Sequence, residues 1–504
     1  MARVPVSDES AVAAPLGGAA ASSVAWMTAQ KWVVRLAGLA TIAILTRLVS
    51  PAEFGTIAVA STILPFLYLI SDLGFATYIV QAQKADRRTV STAFWFSITV
   101  GAALTVLLIV AAPLVAALFG APDAAPVIRV LALTVPLTAL SSVPIALLRR
   151  SMRFQALAAQ SLAASLIAQV VAVVLAFSGA GVWALVAQSL AAQVVTTLLV
   201  IIAARWMPAW SFSIAEFTVM ARFGTQVLGV ELVAMGRAAA EAAIITHALG
   251  LTTLGYLTIA QRLVQVVQDL TGSAVLPVAT VAFAKMRGEG PRTQRAYLRA
   301  LGLAYACMAA PLLLVAVAAP LIVPIVFGDG WEQSFPLTQV LAVAGIVVVG
   351  ATLDQGLFYA LGRPGRWLVY AVAIDALTVA VTAVTAQWGI LPVVWGFLGV
   401  TVIATITRWF LVAKLLDAPV VRVAKPFGYL AATVVFCGAA GLAVVTVTSD
   451  WGAVLRIIAA GATILVVHLG VTALLARQTL ADLRRYGGKV LARMRRERKE
   501  EQTT

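Results

Sequence analysis

Ionisable side chains lie within runs of apolar sequence that are long enough to cross a lipid bilayer. Arg35 stands in the first such run and Asp72 in the second. A charge near the bilayer centre costs about 2.5–3.5 kcal/mol on insertion scales, so such side chains normally face the protein interior or a water-filled cavity. Guanidinium groups bind phosphate and carboxylate groups, and a carboxylate can take up a proton. The spacing therefore predicts polar sites inside a membrane domain.

One set of these residues is predicted to line an internal cavity. Lys31 and Arg35 are four residues apart and share one helical face. Arg262, Gln265 and Asp269 are separated by three and four residues, which makes a polar stripe along two helical turns. Gln261 and Gln268 widen that stripe, and a stripe of this length is not expected to face lipid. The predicted lining residues are Lys31, Arg35, Arg237, Arg262 and Gln265.

A second set consists of carboxylates at membrane depth. Each of them is either a coupling site for H⁺ or Na⁺ or the partner of a nearby arginine. For example, Arg237 and Glu241 are spaced i,i+4 and either act in function or neutralise each other. Four further arginines near run ends, Arg129, Arg222, Arg408 and Arg456, are interpreted as interfacial anchors. The candidates for ion coupling are Asp72, Glu231, Glu241, Asp269, Asp354 and Asp375.

The sequence offers little material for catalysis or for holding a metal. His247 and His468 are the only histidines, so a His-based metal site or a catalytic triad has almost nothing to draw on. Cys307 and Cys437 both lie in apolar runs, and no phosphate-binding loop is present. We therefore predict no metal, no cofactor and no enzymatic activity.

Composition places the chain among polytopic membrane proteins. Of its 504 residues, 62% are hydrophobic and 11% are charged. Soluble proteins are about 45–50% apolar and about 25% charged. Windows of about 20 apolar residues recur fourteen times and leave no gap for a soluble domain; the second, fourth, ninth and thirteenth lie near 54–80, 126–148, 296–327 and 427–448. The predicted fold is all-α, with about 14 transmembrane helices.

The charged connections orient these helices. Sixteen Lys and Arg residues lie in six alternate connections, and the turns opposite have none. This one-sided pattern predicts that both termini are cytoplasmic. The formal charge of +15 is spread over these turns without a recognition module, so nucleic acid is not an expected partner.

The two halves of the chain resemble each other. Residues 54–60 match 254–260, the Pro-Leu and Phe-Gly pairs of 113–120 recur in 320–328, and Val-Leu-Ala at 130–132 recurs at 340–342. Six helices per half, an even number, predict two lobes related by a parallel repeat, with two extra C-terminal helices. The predicted divisions are a disordered cytoplasmic tail (1–20), an N-lobe (21–210), a C-lobe (211–416), the extra helices (417–478) and a basic cytoplasmic tail (479–504).

That basic tail carries eight Arg and Lys residues between Arg484 and Lys499, with apolar residues among them. It either lies on the anionic lipids of the inner leaflet or is a solvated tail that fixes topology.

Four sequence motifs resemble the polysaccharide transporter family of the multidrug, oligosaccharidyl-lipid and polysaccharide exporter superfamily. They are LTRLVSPAEFG at 45–55, SDLG at 71–74, STAFW at 91–95 and VPIALLRRSMRF at 143–154. Within that family the sequence is most similar to the Wzx-type and teichuronic or colanic acid exporter branch. The resemblance implies two six-helix lobes around a central cavity that opens alternately to each side. It also implies a bacterial inner membrane protein that works with polysaccharide assembly proteins.

The same resemblance implies a substrate, a polyprenyl-pyrophosphate-linked oligosaccharide moved from the inner to the outer leaflet. Arg35, Arg237 and Arg262 are then hypothesised to meet its pyrophosphate or acidic sugars. The alternatives are a multidrug or peptidoglycan-precursor exporter of the same superfamily, or a polytopic glycan polymerase. We expect a monomer.

Overall fold

The computed structural model describes residues 32–82, 86–272, 283, 290–483 and 485, and within these ranges the chain forms helices without a strand. The first half contains eight α-helices: α1 Trp32–Leu45, α2 Pro51–Asp72, α3 Phe75–Gln81, α4 Arg87–Leu118, α5 Ala125–Leu131, α6 Thr134–Arg150, α7 Phe154–Phe177 and α8 Val182–Ala204. The second half contains α9 Ile214–Leu249, α10 Leu251–Gly272, α11 Gly290–Phe327, α12 Ser334–Ala360, α13 Pro364–Thr385 and α14 Ile390–Leu415. Two more helices follow, α15 Val420–Val447 and α16 Ala453–Leu475.

The chain is a multi-pass membrane protein. Twelve of its described segments are long and apolar enough to cross a bilayer. Two further segments complete the series: α1, described over Trp32–Leu45, and α10, which is long enough but carries the polar stripe. Counting α2 with α3 and α5 with α6, the described chain has the fourteen membrane segments that the sequence predicts. We call the end at which α2 and α10 begin the outer end, following the charge pattern, and the opposite end the inner end.

The start of α2 is fixed by its own sequence. Ser50 and Glu53 form a capping box: the Glu53 N–H donates to Ser50 Oγ, and the Ser50 N–H donates to Glu53 Oε2 at 2.8 Å. Pro51 occupies the first turn, where no N–H is needed. Glu53 Oε1 also accepts the N–H of Val182 at 2.9 Å, so the same carboxylate holds the start of α8.

Small residues let the helices approach closely. Ala164, Ala168, Ala172 and Ala176 repeat every fourth residue along α7, and all four are buried. Such a ridge lets neighbouring helices pack backbone against backbone. The packing of α7 against α8 in the first half has its counterpart in the second half, where α13 packs against α14.

The helices α2 and α10 cross at a pair of glycines near the outer end. A Cβ added to Gly55 would lie 2.0 Å from the carbonyl oxygen of Leu251, and one added to Gly255 would lie 2.0 Å from that of Pro51. Only glycine permits this approach. The two halves of the repeat therefore meet directly through corresponding residues.

The second membrane segment is broken, and the prediction of one continuous helix over 54–80 is wrong at this point. Leu73 and Gly74 both adopt left-handed backbone conformations, with φ of 47° and 73°. The α9 backbone comes so close here that a Cβ on Gly224 would lie 1.8 Å from the Leu73 carbonyl oxygen. The break thus accommodates the contact between α9 and the inner part of this segment.

Three other predicted boundaries change. The fourth segment is divided between α5 and α6, although its window predicted one helix over 126–148. Pro136 has no N–H for the Ala132 carbonyl, and the Thr105 hydroxyl lies 3.4 Å from that oxygen. The ninth segment begins at Gly290 and the thirteenth at Val420, six and seven residues before their apolar windows, because polar residues continue the helices.

Candidate functional site

An ion pair joins the two halves of the molecule. Arg35 Nη2 of α1 lies 2.7 Å from Asp269 Oδ2 of α10, and the two side chains are 40% and 30% exposed. Both residues were selected from the sequence, Arg35 as a cavity residue and Asp269 as an ion-coupling candidate. The pair is thus partly exposed where α1 and α10 meet, and we call this region between the two halves the passage.

The polar stripe of α10 lies on the exposed side of that helix, next to the passage. Gln261, Arg262 and Gln265 are exposed, whereas Leu263 and Val264 on the other side of the helix are buried. Arg262 lies close enough to interact electrostatically with both Arg35 and Asp269. Two guanidinium groups and one carboxylate leave a net positive charge in this passage between the halves.

One predicted member of the stripe has a different role. Gln268 Nε2 donates to the carbonyl oxygen of Gly345 in α12 at 3.1 Å. The interpretation that Gln268 widens the open stripe is wrong, because its amide holds α10 against α12. Spacing on one helix cannot reveal which neighbour a side chain meets.

Arg237 is held by two carboxylates from two helices. Its Nη1 lies 2.6 Å from Glu241 Oε1 on the same helix, and its Nε lies 3.0 Å from Asp375 Oδ1 of α13. The three groups line a cavity of about 320 Å³ that Gln261 and Tyr370 also line. This geometry fits the neutralising alternative for Arg237 and Glu241, and it favours Arg35 and Arg262 over Arg237 as binders of an anion.

A fully buried ion pair lies deeper in the second half. Arg408 Nε of α14 is 2.8 Å from Asp354 Oδ2 of α12, and the Tyr297 hydroxyl donates to Asp354 Oδ1 at 2.6 Å. Arg408 and Asp354 are each 3% exposed. The interpretation of Arg408 as an interfacial anchor is wrong, since its guanidinium neutralises a carboxylate inside the bundle. Asp354 has the arginine partner that was one of its two predicted roles.

The remaining candidates are dispersed. Asp72 ends α2 at the break and accepts hydrogen bonds from the Ser142 hydroxyl and the Ala76 N–H, so its contacts stay within the first half. Glu231 is exposed on α9. Lys31 lies outside the described residues.

The sequence analysis did not identify the residues that close the outer end. Trp331, in the turn before α12, is 1% exposed and donates from Nε1 to the Thr46 carbonyl at 2.9 Å. Phe54 and Tyr256 pack edge-on against its ring, one from each half of the repeat. Arg47 Nη2 donates to the Ile325 carbonyl at 3.0 Å and adds a second link. Arg47 and Phe54 lie in the motif at 45–55, but the motif does not reveal their partners, because those contacts depend on how the two halves meet.

Among the described residues, no group of three or more His, Cys, Asp and Glu side chains could hold a metal ion. The site has two charged regions: the cationic passage next to α1 and α10, and a cluster in which two carboxylates share the Arg237 guanidinium. Such groups can bind an anion or exchange ions.

Comparisons with known proteins agree with this architecture. The model of the family described as "Polysaccharide biosynthesis protein" matches residues 44–336. The succinoglycan biosynthesis transport protein ExoT of Rhizobium meliloti is 29% identical over 305 residues, which are 60% of this chain and 62% of the relative. The teichuronic acid biosynthesis protein TuaB of Bacillus subtilis is 24% identical over 356 residues, covering 68% and 74% of the two chains.

A solved structure shares the fold. The lipid II flippase MurJ, in an inward closed conformation, superposes with a TM-score of 0.72 at 12% identity, covering 90% of this chain and 99% of the flippase. The two chains thus share the arrangement of helices over nearly their whole length. At this identity the likeness concerns the fold alone.

Proposed function

Because the chain belongs to the polysaccharide biosynthesis protein family, we propose that it is a flippase for a polyprenyl-pyrophosphate-linked oligosaccharide. It moves this repeat unit of a cell-surface polysaccharide from the inner to the outer leaflet of a bacterial plasma membrane, with both termini in the cytoplasm. Two relatives support the proposal: one is a succinoglycan biosynthesis transport protein, and the other is a teichuronic acid biosynthesis protein.

The single observation that carries this proposal is the ion pair between Arg35 and Asp269, with Arg262 beside it. A pyrophosphate is anionic, and guanidinium groups bind phosphate oxygens through charge-assisted, often bidentate hydrogen bonds. The sugars cannot cross hydrocarbon without a wet passage, whereas the polyprenyl chain can remain in lipid beside the protein. Arg35 and Arg262 contact the pyrophosphate, and Gln265 hydrogen-bonds the first sugars.

Binding of the headgroup also acts on the two halves. Asp269 holds Arg35 while the passage is empty, and this ion pair is a direct link between α1 and α10. An anionic headgroup that takes the place of the Asp269 carboxylate removes that link. A ligand shifts a conformational equilibrium by as much as its affinities for the two states differ. Substrate binding thus favours separation of the halves, the first step of alternating access.

Ion coupling is assigned to Glu241 and Asp375. Their carboxylates share one guanidinium, so the cluster has one negative charge in excess inside a cavity of about 320 Å³. Uptake of H⁺ or Na⁺ there would neutralise the cluster. Asp354 is not assigned this role, since Arg408 and Tyr297 already occupy its oxygens.

The nearest alternative is a multidrug or peptidoglycan-precursor exporter. A passage for cationic drugs would favour acidic side chains, and here two arginines outnumber one carboxylate. The glycan polymerase is an alternative from another class, because it would use the same lipid-linked sugars in a chemical reaction. Such enzymes often place their chemistry in a large outer loop, and the outer turns described here are short.

The experiment is a cellular transport assay with Arg35→Ala and Arg262→Ala. We expect each variant to accumulate the lipid-linked oligosaccharide on the inner leaflet at a normal level of inserted protein. Arg363→Ala is the matched control, because Arg363 is exposed in the turn before α13. Full transport by both passage variants would overturn the assignment of these arginines.

A further inference from the structure

A second polar cavity, of about 570 Å³, lies at the inner end of the bundle between α11, α15 and α16. It is separate from the central passage, since Arg35, Arg237 and Arg262 do not line it. The residues that follow α16 close one side of it. Thr479 in this segment packs on α11 at Gly302, where a Cβ would lie 2.9 Å from the Thr479 hydroxyl oxygen.

The cavity collects cations from several elements. Arg295 and Arg299 come from α11, Arg422 and Lys425 from α15, and one more arginine follows the end of α16. Among the described residues, one carboxylate lines the same cavity. We call the five cations the basic pocket: Arg295, Arg299, Arg422, Lys425 and Arg477, with Asp482 as the carboxylate.

These charges are not compensated within the described part of the chain. None of the five cations makes an ion pair there, and of their side chains only that of Arg295 donates a hydrogen bond there, from Nε to the Pro291 carbonyl at 3.3 Å. Like charges that converge on one concave surface repel one another and raise the local concentration of anions. The basic pocket therefore has the electrostatics of an anion-binding site.

The walls of the cavity are apolar towards the membrane. Leu298 and Pro426 line it, and so do Leu474 and Leu475 at the end of α16. The last two are 74% and 55% exposed, so the cavity continues onto the lipid-facing surface. The Tyr429 hydroxyl pairs with Thr472 Oγ1 at 2.8 Å and holds α15 to α16 beneath it. A ligand with an anionic head and an apolar tail fits both parts.

We infer that the basic pocket binds the phosphate headgroup of an anionic phospholipid of the inner leaflet, with its acyl chains along Leu474 and Leu475. The volume lies within the range of about 300–1,000 Å³ that is usual for small-ligand sites. Basic pockets between transmembrane helices on the cytoplasmic side are suited to anionic headgroups. The inference rests on the proposed orientation but not on the proposed substrate. A bound lipid ties α15 and α16, which lie outside the repeat, to α11.

The test uses the purified full-length protein after removal of lipid by detergent exchange. Cardiolipin, phosphatidylglycerol or phosphatidylcholine is then added, and the fraction that stays bound is measured by native mass spectrometry. Inorganic pyrophosphate and a polyprenyl phosphate serve as competitors. We expect retention of the two anionic phospholipids over phosphatidylcholine. Arg422→Gln/Lys425→Gln should weaken retention about a hundredfold, because two charge-assisted contacts to the phosphate are lost.

The control is Arg363→Gln/Arg366→Gln, which removes the same charge from another turn at the inner end. It should retain the phospholipids as the unaltered protein does. Arg477 lies beyond the end of α16 and lines the same cavity. Arg477→Gln therefore provides a second test if the double variant fails to fold. Equal retention by the pocket variants and the control would overturn the site. If inorganic pyrophosphate displaced the bound phospholipid, the assignment of the pocket to a lipid would be overturned. If the protein bound the polyprenyl phosphate in preference to the phospholipids, the choice of a phospholipid as the ligand would be overturned.

Discussion

Gly55 and Gly255 make the same contact in opposite halves of the molecule. Each lies where a Cβ would come within 2.0 Å of a carbonyl oxygen, that of Leu251 for Gly55 and that of Pro51 for Gly255. The two glycines are 200 residues apart, and so are the two carbonyl groups. This reciprocity is what a two-fold relation between repeats requires. It explains why the repeat retains glycine at this position.

Alanine at either glycine should therefore disturb the crossing of α2 and α10. Because the nearest atoms are backbone, the helices must move apart, and we expect Gly55→Ala or Gly255→Ala to cost about 1–3 kcal/mol of stability. The measurement is thermal unfolding in detergent, with transport assayed in parallel.

Gly399→Ala serves as the control for both variants. Gly399 lies in α14, and among the described residues no atom outside its own helix lies within 4 Å of an added Cβ. Alanine favours a helix over glycine by about 1 kcal/mol, so this change should be neutral or stabilising. Unaltered stability and transport in the α2 and α10 variants would contradict the close crossing.

The buried pair of Asp354 and Arg408 should be needed for folding. Removing one partner leaves a charge without compensation in the interior, which costs about 3–5 kcal/mol. We expect Asp354→Asn to lower the melting temperature strongly. The double variant Asp354→Leu/Arg408→Leu should recover much of the loss, because both charges disappear together. A normal melting temperature with altered ion dependence in Asp354→Asn would instead assign Asp354 to coupling.

Glu241 and Asp375 should connect transport to an ion gradient. Without a carboxylate, the cluster around Arg237 can no longer gain a cation to reach neutrality. We expect Glu241→Gln and Asp375→Asn to make transport in vesicles insensitive to imposed H⁺ and Na⁺ gradients. Asp450→Asn, in the exposed turn between α15 and α16, is the matched control. An unchanged gradient response in both cluster variants would remove the assignment.

Features that depend on one helix could be predicted from the sequence. The fourteen membrane segments follow from apolar length, and the exposure of Arg262 and Gln265 follows from their spacing. Features that depend on a second helix could not be predicted. Gln268 hydrogen-bonds to α12, and Arg408 pairs with Asp354. The helix breaks at Leu73, where the α9 backbone lies against it. A single sequence carries no direct record of such partners.

The outer closure illustrates the same limit. Trp331 is an aromatic residue in a turn, which by itself suggests only a membrane-interface position. Its burial between Phe54 and Tyr256 depends on how the two halves meet. The family resemblance predicted two lobes and a cavity, but the residues that seal the cavity emerge only from the assembled bundle.

The most direct test of the central claim is the binding of a polyprenyl-pyrophosphate-linked oligosaccharide to purified protein. Two charge-assisted contacts at about 1.5 kcal/mol or more each predict that Arg35→Gln/Arg262→Gln weakens binding about a hundredfold. Arg363→Gln/Arg366→Gln should bind as tightly as the unaltered protein. Equal affinity of the passage variant and the unaltered protein would contradict a cationic passage for the lipid headgroup.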